Sequence, residues 1–212
     1  MMNIRVLLTD DHEVVRAGYA RLLEYTPDID VIAEACSGEE AYTCYFECRP
    51  DVLIMDLNMP GMGGLEACRR IMARDPKAKI LVFSVHENEI MLERALDVGV
   101  KGYISKRSAS QVMIQAVRKV AAGDVYVGQE MMSHLIGQRK SDDGGQLKDL
   151  TPREFEVFRL LADSKSVNDV AELLNLSPKT VGHHMTSIKS KLGIANLADL
   201  TRLAIRLGII NP

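Results

Sequence analysis

Five side chains stand where apolar runs give way to turns. "LLTDDH" carries Asp10 and Asp11, "DVLIMDLNMP" carries Asp56, "LVFSVHE" carries Ser84 and "GYISK" carries Lys106. Singly, each has a plain explanation: adjacent acids cap helices, an Asp starts a turn, and a Ser or Lys after a strand is usually surface. Together they are three carboxylates, a hydroxyl and an ammonium, a set that supports phosphoryl transfer onto Asp56. Packed acids raise one another's pKa unless a divalent cation compensates, and incomplete oxygen coordination suits Mg2+. Such an ion bridges a carboxylate and an incoming phosphoryl group. Asp56 would be the nucleophile that forms an aspartyl phosphate, with Lys106 and Ser84 as partners of the phosphoryl oxygens.

For these groups to meet, several strands must end at one edge. Strand-like runs recur at Ile4 to Leu8, Val31 to Ala35, Val52 to Met55, Ile80 to Phe83 and Gly102 to Ile104. Helical spacing of apolar residues fills the intervals at Val14 to Leu23, Ala41 to Phe46, Leu65 to Met72 and Met91 to Val98, and Val112 to Ala121 follows the last run. Five alternations imply a doubly wound five-stranded parallel sheet with helices on both faces, because each parallel return needs a crossover. Asp10, Asp56, Ser84 and Lys106 then share its carboxyl edge, where open α/β sheets place ligands.

Two domains fit in 212 residues, the first spanning residues 1–122. Residues 123–146 form the expected linker, with the Gly- and charge-rich "GQRKSDDGGQ" at 137–146 and a short helix expected around Gln129 to Ile136. Residues 147–212 suit four helices. Thr151, Pro152 and Glu154 form a capping box with Pro at the first helical position, and helical patterns follow at Val167 to Leu174, Pro178 to Leu192 and Leu197 to Leu207. The domains differ in charge: residues 1–130 hold 15 Lys or Arg against 20 Asp or Glu, and residues 151–212 hold 8 against 6. The four cysteines lie in the first third with no paired His cluster, which argues for reduced thiols rather than zinc. No secretory signal or membrane-length apolar stretch is evident, so a cytoplasmic protein without a membrane partner is expected.

"TDDH", "MDLNMPGMGG", "FSVHE" and "GYISK" resemble the receiver domain of bacterial two-component response regulators, a flavodoxin-like fold, over residues 1 to about 122. The resemblance implies that Asp56 takes a phosphoryl group from a sensor histidine kinase. It implies Mg2+ held by Asp11 and Asp56, with Asp10 close by and the Asn58 main-chain carbonyl as a further ligand. It also implies a switch in which the Ser84 hydroxyl moves toward phosphate while the Tyr103 ring turns inward. Beyond catalysing its own phosphoryl transfer and dephosphorylation, the chain is not expected to be an enzyme. Thr9 departs from the pattern, since the family commonly has an apolar residue there, and little effect is expected.

In the stretch Pro178 to Leu192, Val181, Met185, Ile188 and Leu192 fall on one face. The opposite face collects Lys179, His183, Thr186, Ser187 and Ser190, flanked by Gly182 and Lys189 on one side and by Thr180, His184 and Lys191 on the other. This polar, modestly basic surface suits a helix in the major groove, although a solvated face has the same spacing. "LTPREFEVFRLLA" and "VAELLNLSPKTVGHHMTSIKSKLGI" resemble the LuxR-type helix-turn-helix domain, and the whole chain is similar to the NarL/FixJ family, near its GacA/UvrY branch. The resemblance implies phosphate contacts from Lys179, Thr180, His184 and Lys191, and base reading around Gly182, His183 and Thr186, with Lys189 beside them. In the last helix the spacing predicts Leu197, Leu200, Ala204 and Leu207 as the inward stripe, and the resemblance implies a homodimer through this helix, set on promoter half-sites. Gly182 and Ser164 depart from the pattern: the family usually has a side chain at the first position and Gly at the second.

Two alternatives stay open at this level. A phosphatase of the haloacid dehalogenase type also uses a strand-end Asp, but it wants a second acid two residues on, where this chain has Asn58. A DNA binder with an inert receiver is the other. "GMGG" lacks the Gly-Lys-Ser/Thr of a nucleotide loop, and the adjacent His183 and His184 lack a further metal ligand on their face.

Overall fold

Short apolar runs become strands and amphipathic stretches become helices in strict alternation. The order is β1 (Ile4–Thr9), α1 (Glu13–Glu24), β2 (Ile29–Ala35), α2 (Gly38–Cys48), β3 (Val52–Met55), α3 (Gly64–Arg74), β4 (Ile80–Ser84), α4 (Glu89–Val98), β5 (Gly102–Ser105), α5 (Ser110–Ala122) and β6 (Tyr126–Val127). The computed structural model describes residues 3–85, 89–129, 131–132, 147, 149–207 and 209–210. The chain divides into two units, 1–137 and 138–212.

In the first unit the strands run in the order β2-β1-β3-β4-β5-β6, and every pair is parallel. All four residues of β3 are buried, as a strand covered on both faces requires. One core layer joins Val6, Leu8, Ile54 and Phe83 of the sheet to Leu23 of α1 and to Met113 and Val117 of α5. Each such side chain contributes about 1.5–3 kcal/mol on burial. Because β1 lies between β2 and β3, the winding reverses there, and its carboxyl end opens the crevice of the fold.

The sheet has six strands, where the sequence predicts five. Gly123, at φ 94°, ends α5 in the left-handed region and turns the chain back. Tyr126 and Val127 then pair with Gly102 and Tyr103. Two residues give too short a run to signal a strand by pattern, so this piece of the expected linker belongs to the sheet. Gln129, Met131 and Met132 are helical, whereas the rest of the helix expected to Ile136 and the linker at 137–146 lie outside the described residues.

The second unit contains, among the described residues, α6 (Pro152–Ala162), α7 (Val167–Leu173), α8 (Pro178–Leu192) and α9 (Leu197–Arg206). The Thr151–Glu154 capping box forms as the sequence predicts, and Ser177 accepts from the Thr180 amide at 3.0 Å. A second capping box, Ser166 with Asp169, starts α7. Ser164 sits at φ 60°, a left-handed setting that explains why glycine is usual there. The core of α8 is Val181, Ile188 and Leu192, with Met185 only half-buried. In α9 the inward stripe is Leu200, Leu203 and Ala204. Leu197, expected inside, is 41% exposed, and Leu207 is half-buried. The stripe is shifted because Leu197 opens the first turn, directly after the Asn196 cap, where the chain is still entering the helix.

Candidate functional site

Strand register sets the acid edge. Thr9 pairs with Met55 and Ser84 with Ser105, so neighbouring strands end level. The ladder then runs one residue further: the Asp56 amide donates to Thr9 O at 3.0 Å and the Lys106 amide to Ser84 O at 2.8 Å. Behind Asp56 the loop folds back tightly. A Cβ on Gly64 would fall 1.9 Å from the Asp56 carbonyl oxygen, which accounts for a glycine in "GMGG" without any nucleotide.

Lys106 joins the acids. Its Nζ lies 2.6 Å from Asp10 Oδ2 and 2.7 Å from Asp56 Oδ2, and 5.7 Å from the centroid of the Phe83 ring, against which it is held. Asp10 and Asp56 are each 1% exposed. Burial pushes the Asp56 carboxyl above its ordinary value, opposed by the Lys106 charge and by hydrogen bonds from Lys106 and the Asn58 amide. For Lys106 burial works against the charge, but Asp56 and Asp10 more than offset it, so the ammonium sits above its ordinary value.

Asp10, Asp11, His12 and Asp56 each place one ligand atom within 4.8 Å of the others. Asp10 Oδ2 and Asp11 Oδ1 are buried and accept no well-directed hydrogen bond, leaving Lys106 and the His12 ring, 2.8 Å from Asp11, as their close partners. A set rich in carboxylate oxygen, most of it buried, fits a hard divalent cation. His12 is absent from the sequence-level site, although it stands in "TDDH". It precedes α1 as its N-cap residue, and its amide donates to Asp10 Oδ1 at 2.9 Å. Asn58 lies in the loop beyond β3 and its amide donates to Asp56 Oδ1 at 3.1 Å.

Ser84 and Tyr103 are both fully buried. Thr9 is also fully buried, and its hydroxyl has no hydrogen-bond partner among the described residues. The departure from an apolar residue is therefore not silent, since an unpaired hydroxyl replaces what would be a methyl.

On α8 the structure sorts the expected contacts. Lys179, His183 and Thr186 are exposed, and Gly182 and Lys189 are partly so. A Cβ on Gly182 would meet nothing within 4 Å, so no packing demands a glycine there. The Thr186 hydroxyl donates to Gly182 O at 3.0 Å, and the Thr180 hydroxyl lies 2.8 Å from that of Ser177. His184 is half-buried, and that burial holds its imidazole below the ordinary pKa, favouring the neutral ring. Lys191 is engaged: its Nζ lies 2.6 Å from Glu154 Oε2, while the Ser187 hydroxyl donates to Glu154 Oε1 at 2.6 Å. Glu154 is 5% exposed, and although burial opposes its charge, hydrogen bonds from Lys191, Ser187 and Thr151 bring its carboxyl down to about 2. No sequence pattern signals this pairing, because the partners lie 37 residues apart.

An acid-edged doubly wound domain in series with a helix-turn-helix unit defines a signalling protein with a nucleic-acid-binding output. Residues 6–118 match the response regulator receiver domain, and residues 148–204 match the luxR family of bacterial regulatory proteins. The chain belongs to the LuxR-type response regulators, transcription regulators of the NarL/FixJ kind. It is 39% identical over 212 residues to the response regulator UvrY of Escherichia coli K12, covering 98% of this chain and 96% of that one. It is likewise 39% identical over 208 residues to the transcriptional activator protein ExaE of Pseudomonas putida, covering 97% of each. The structure of RcsB from Salmonella enterica serovar Typhimurium, bound to a promoter in the presence of the phosphomimetic BeF3-, matches with a TM-score of 0.69. It is 28% identical and covers 95% of this chain and 98% of that one. Among the described residues no helix is long and apolar enough to cross a membrane.

Proposed function

We propose that Asp56 is the phosphoacceptor of this response regulator and that its phosphorylation by a sensor histidine kinase controls binding of residues 147–212 to promoter DNA. The observation that carries the reading is the meeting of Asp10, Asp11 and Asp56 with Lys106 at one sheet edge. An Asp56 carboxylate oxygen attacks the phosphorus of a phosphohistidine; the P–O bond forms as the P–N bond breaks, and the electron pair leaves with the imidazole nitrogen. Asp10, Asp11 and Asp56, with the Asn58 carbonyl, would hold Mg2+, which supplies charge neutralisation when bound. Lys106, paired with Asp10 and Asp56, would turn toward the new phosphoryl oxygens. Ser84 offers a hydroxyl to one of them, and Tyr103 supplies the aromatic half of the switch.

The phosphoryl group adds about −1.5 to −2 charge and three acceptor oxygens, enough to bias a bistable loop and the face formed by α4 and β5. The receiver comprises residues 1–122 together with β6, which completes its sheet, the chain beyond β6 leads to the DNA-binding domain at 147–212, and the protein works in the cytoplasm. In that domain α8 enters the major groove, with Lys179, Thr180 and His184 toward phosphates, Gly182, His183 and Thr186 at base edges and Lys189 beside them. The phosphorylated form dimerises through α9, which sets two half-sites about one helical turn apart. Asp56→Ala is expected to abolish the gain in DNA binding produced by a phosphodonor. A variant that keeps the full gain overturns the proposal.

A further inference from the structure

On α8 the flank residues Thr180, His184 and Lys191 and the neighbouring Ser187 recur at spacings of four, three and four, so the four side chains line one stripe of the helix. The structure turns the far end of this stripe toward its own unit. Ser187 and Lys191 both reach Glu154, at 2.6 Å each, and the Thr151 amide reaches the same carboxylate at 2.7 Å. Glu154 therefore serves twice, capping α6 and holding the last turns of α8. Of the basic residues on α8, Lys179 and Lys189 have no carboxylate partner among the described residues, whereas the Lys191 side chain is only a third exposed.

We propose that Lys191 is an internal tether, committed to Glu154 so as to seat the last turns of α8 on the start of α6, and that it makes no DNA phosphate contact. The inference rests on α8 being the DNA-facing helix, and it assigns the interfacial charge of that helix to Lys179 and Lys189. Moving Lys191 to a phosphate would leave a nearly buried carboxylate with no cation, a loss that one solvent-exposed phosphate contact does not repay. Position on the helix alone groups Lys191 with Thr180 and His184 as a phosphate contact; the ion pair separates it from them.

The test is the salt dependence of binding to a mixed-sequence DNA duplex, measured on the full-length protein with Mg2+ and a small-molecule phosphodonor. Losing one phosphate contact lowers the slope of log K against log salt by about 0.9, or about 3.5-fold in affinity between 50 and 200 mM salt. Lys179→Met and Lys189→Met are expected to show this drop, and Lys191→Met to keep the parent slope. A drop of about 0.9 in Lys191→Met overturns the proposal. Because Lys191→Met could lose binding by unfolding, urea midpoints of Glu154→Gln, Lys191→Met and the double variant are measured alongside. A tether predicts that each single change lowers the midpoint and that the double variant falls no further than the worse single; additive losses overturn it. A parent that binds no duplex would refute the function proposed above, while the urea cycle would still decide whether the pair is a tether.

Discussion

Replacing Glu154 by Gln keeps its length and one acceptor oxygen but removes the charge that Lys191, Ser187 and Thr151 stabilise. The carboxyl lies at about 2 against an ordinary 4.5, and at about 1.36 kcal/mol per unit that corresponds to about 3 kcal/mol of stability in the second unit. Lys191 is a third exposed, so solvent screening reduces the expected loss in Glu154→Gln at pH 7 to about 2 kcal/mol. Because the folded-state value is depressed, the contribution is fully present above about pH 4.5 and is lost as pH falls through about 2. At pH 3 less than about half of it remains. Hydrogen-exchange protection of α6 and α8 amides, followed with urea from pH 7 to pH 3, reads the unit itself. A carbon-13 titration of the Glu154 carboxyl reads the group. A variant as stable as the parent at pH 7, or a gap between the two that stays constant down to pH 3, would refute the account of this ion pair.

Two further changes test local claims. Thr9→Val replaces a fully buried, unpaired hydroxyl by a methyl of the same shape and is expected to stabilise the first unit by about 1 kcal/mol in urea denaturation followed by tyrosine fluorescence; a loss of stability would mean that the hydroxyl has a partner. Gly182→Ala adds a Cβ into open space in the interior of α8 and is expected to gain about 0.8–1 kcal/mol from helix propensity, seen in the midpoint of the second unit; destabilisation would contradict the open surroundings.

Much of the site was legible because its chemistry sits at strand ends. A carboxylate after four apolar residues is conspicuous, and the two-residue period of strands with the 3.6-residue period of helices fixes which edge it reaches. Thus Asp10, Asp56, Ser84 and Lys106 could be assigned to one edge from sequence, and the structure brings them there. What escaped was set by side-chain geometry that no pattern specifies, by contacts remote in sequence, or by runs too short to show a period. His12 joins the acid cluster through its ring, 2.8 Å from Asp11, and β6 is a two-residue strand paired to the edge of β5. Lys191 looked like any basic residue on a polar flank until Glu154, itself legible only as a cap, reached it from α6. Leu197, expected inside, is exposed, and Leu203, which the expected stripe does not include, is buried, because periodicity gives the spacing of a stripe but not where the chain enters the helix.

The central claim is that β3 ends on an acid because that acid receives a phosphoryl group. Intact mass of the protein after incubation with Mg2+ and a small-molecule phosphodonor, run beside Asp56→Asn, tests it directly. One phosphoryl adduct on the parent and none on the variant is the expected result; an adduct that survives in Asp56→Asn, or none on either protein, would contradict it.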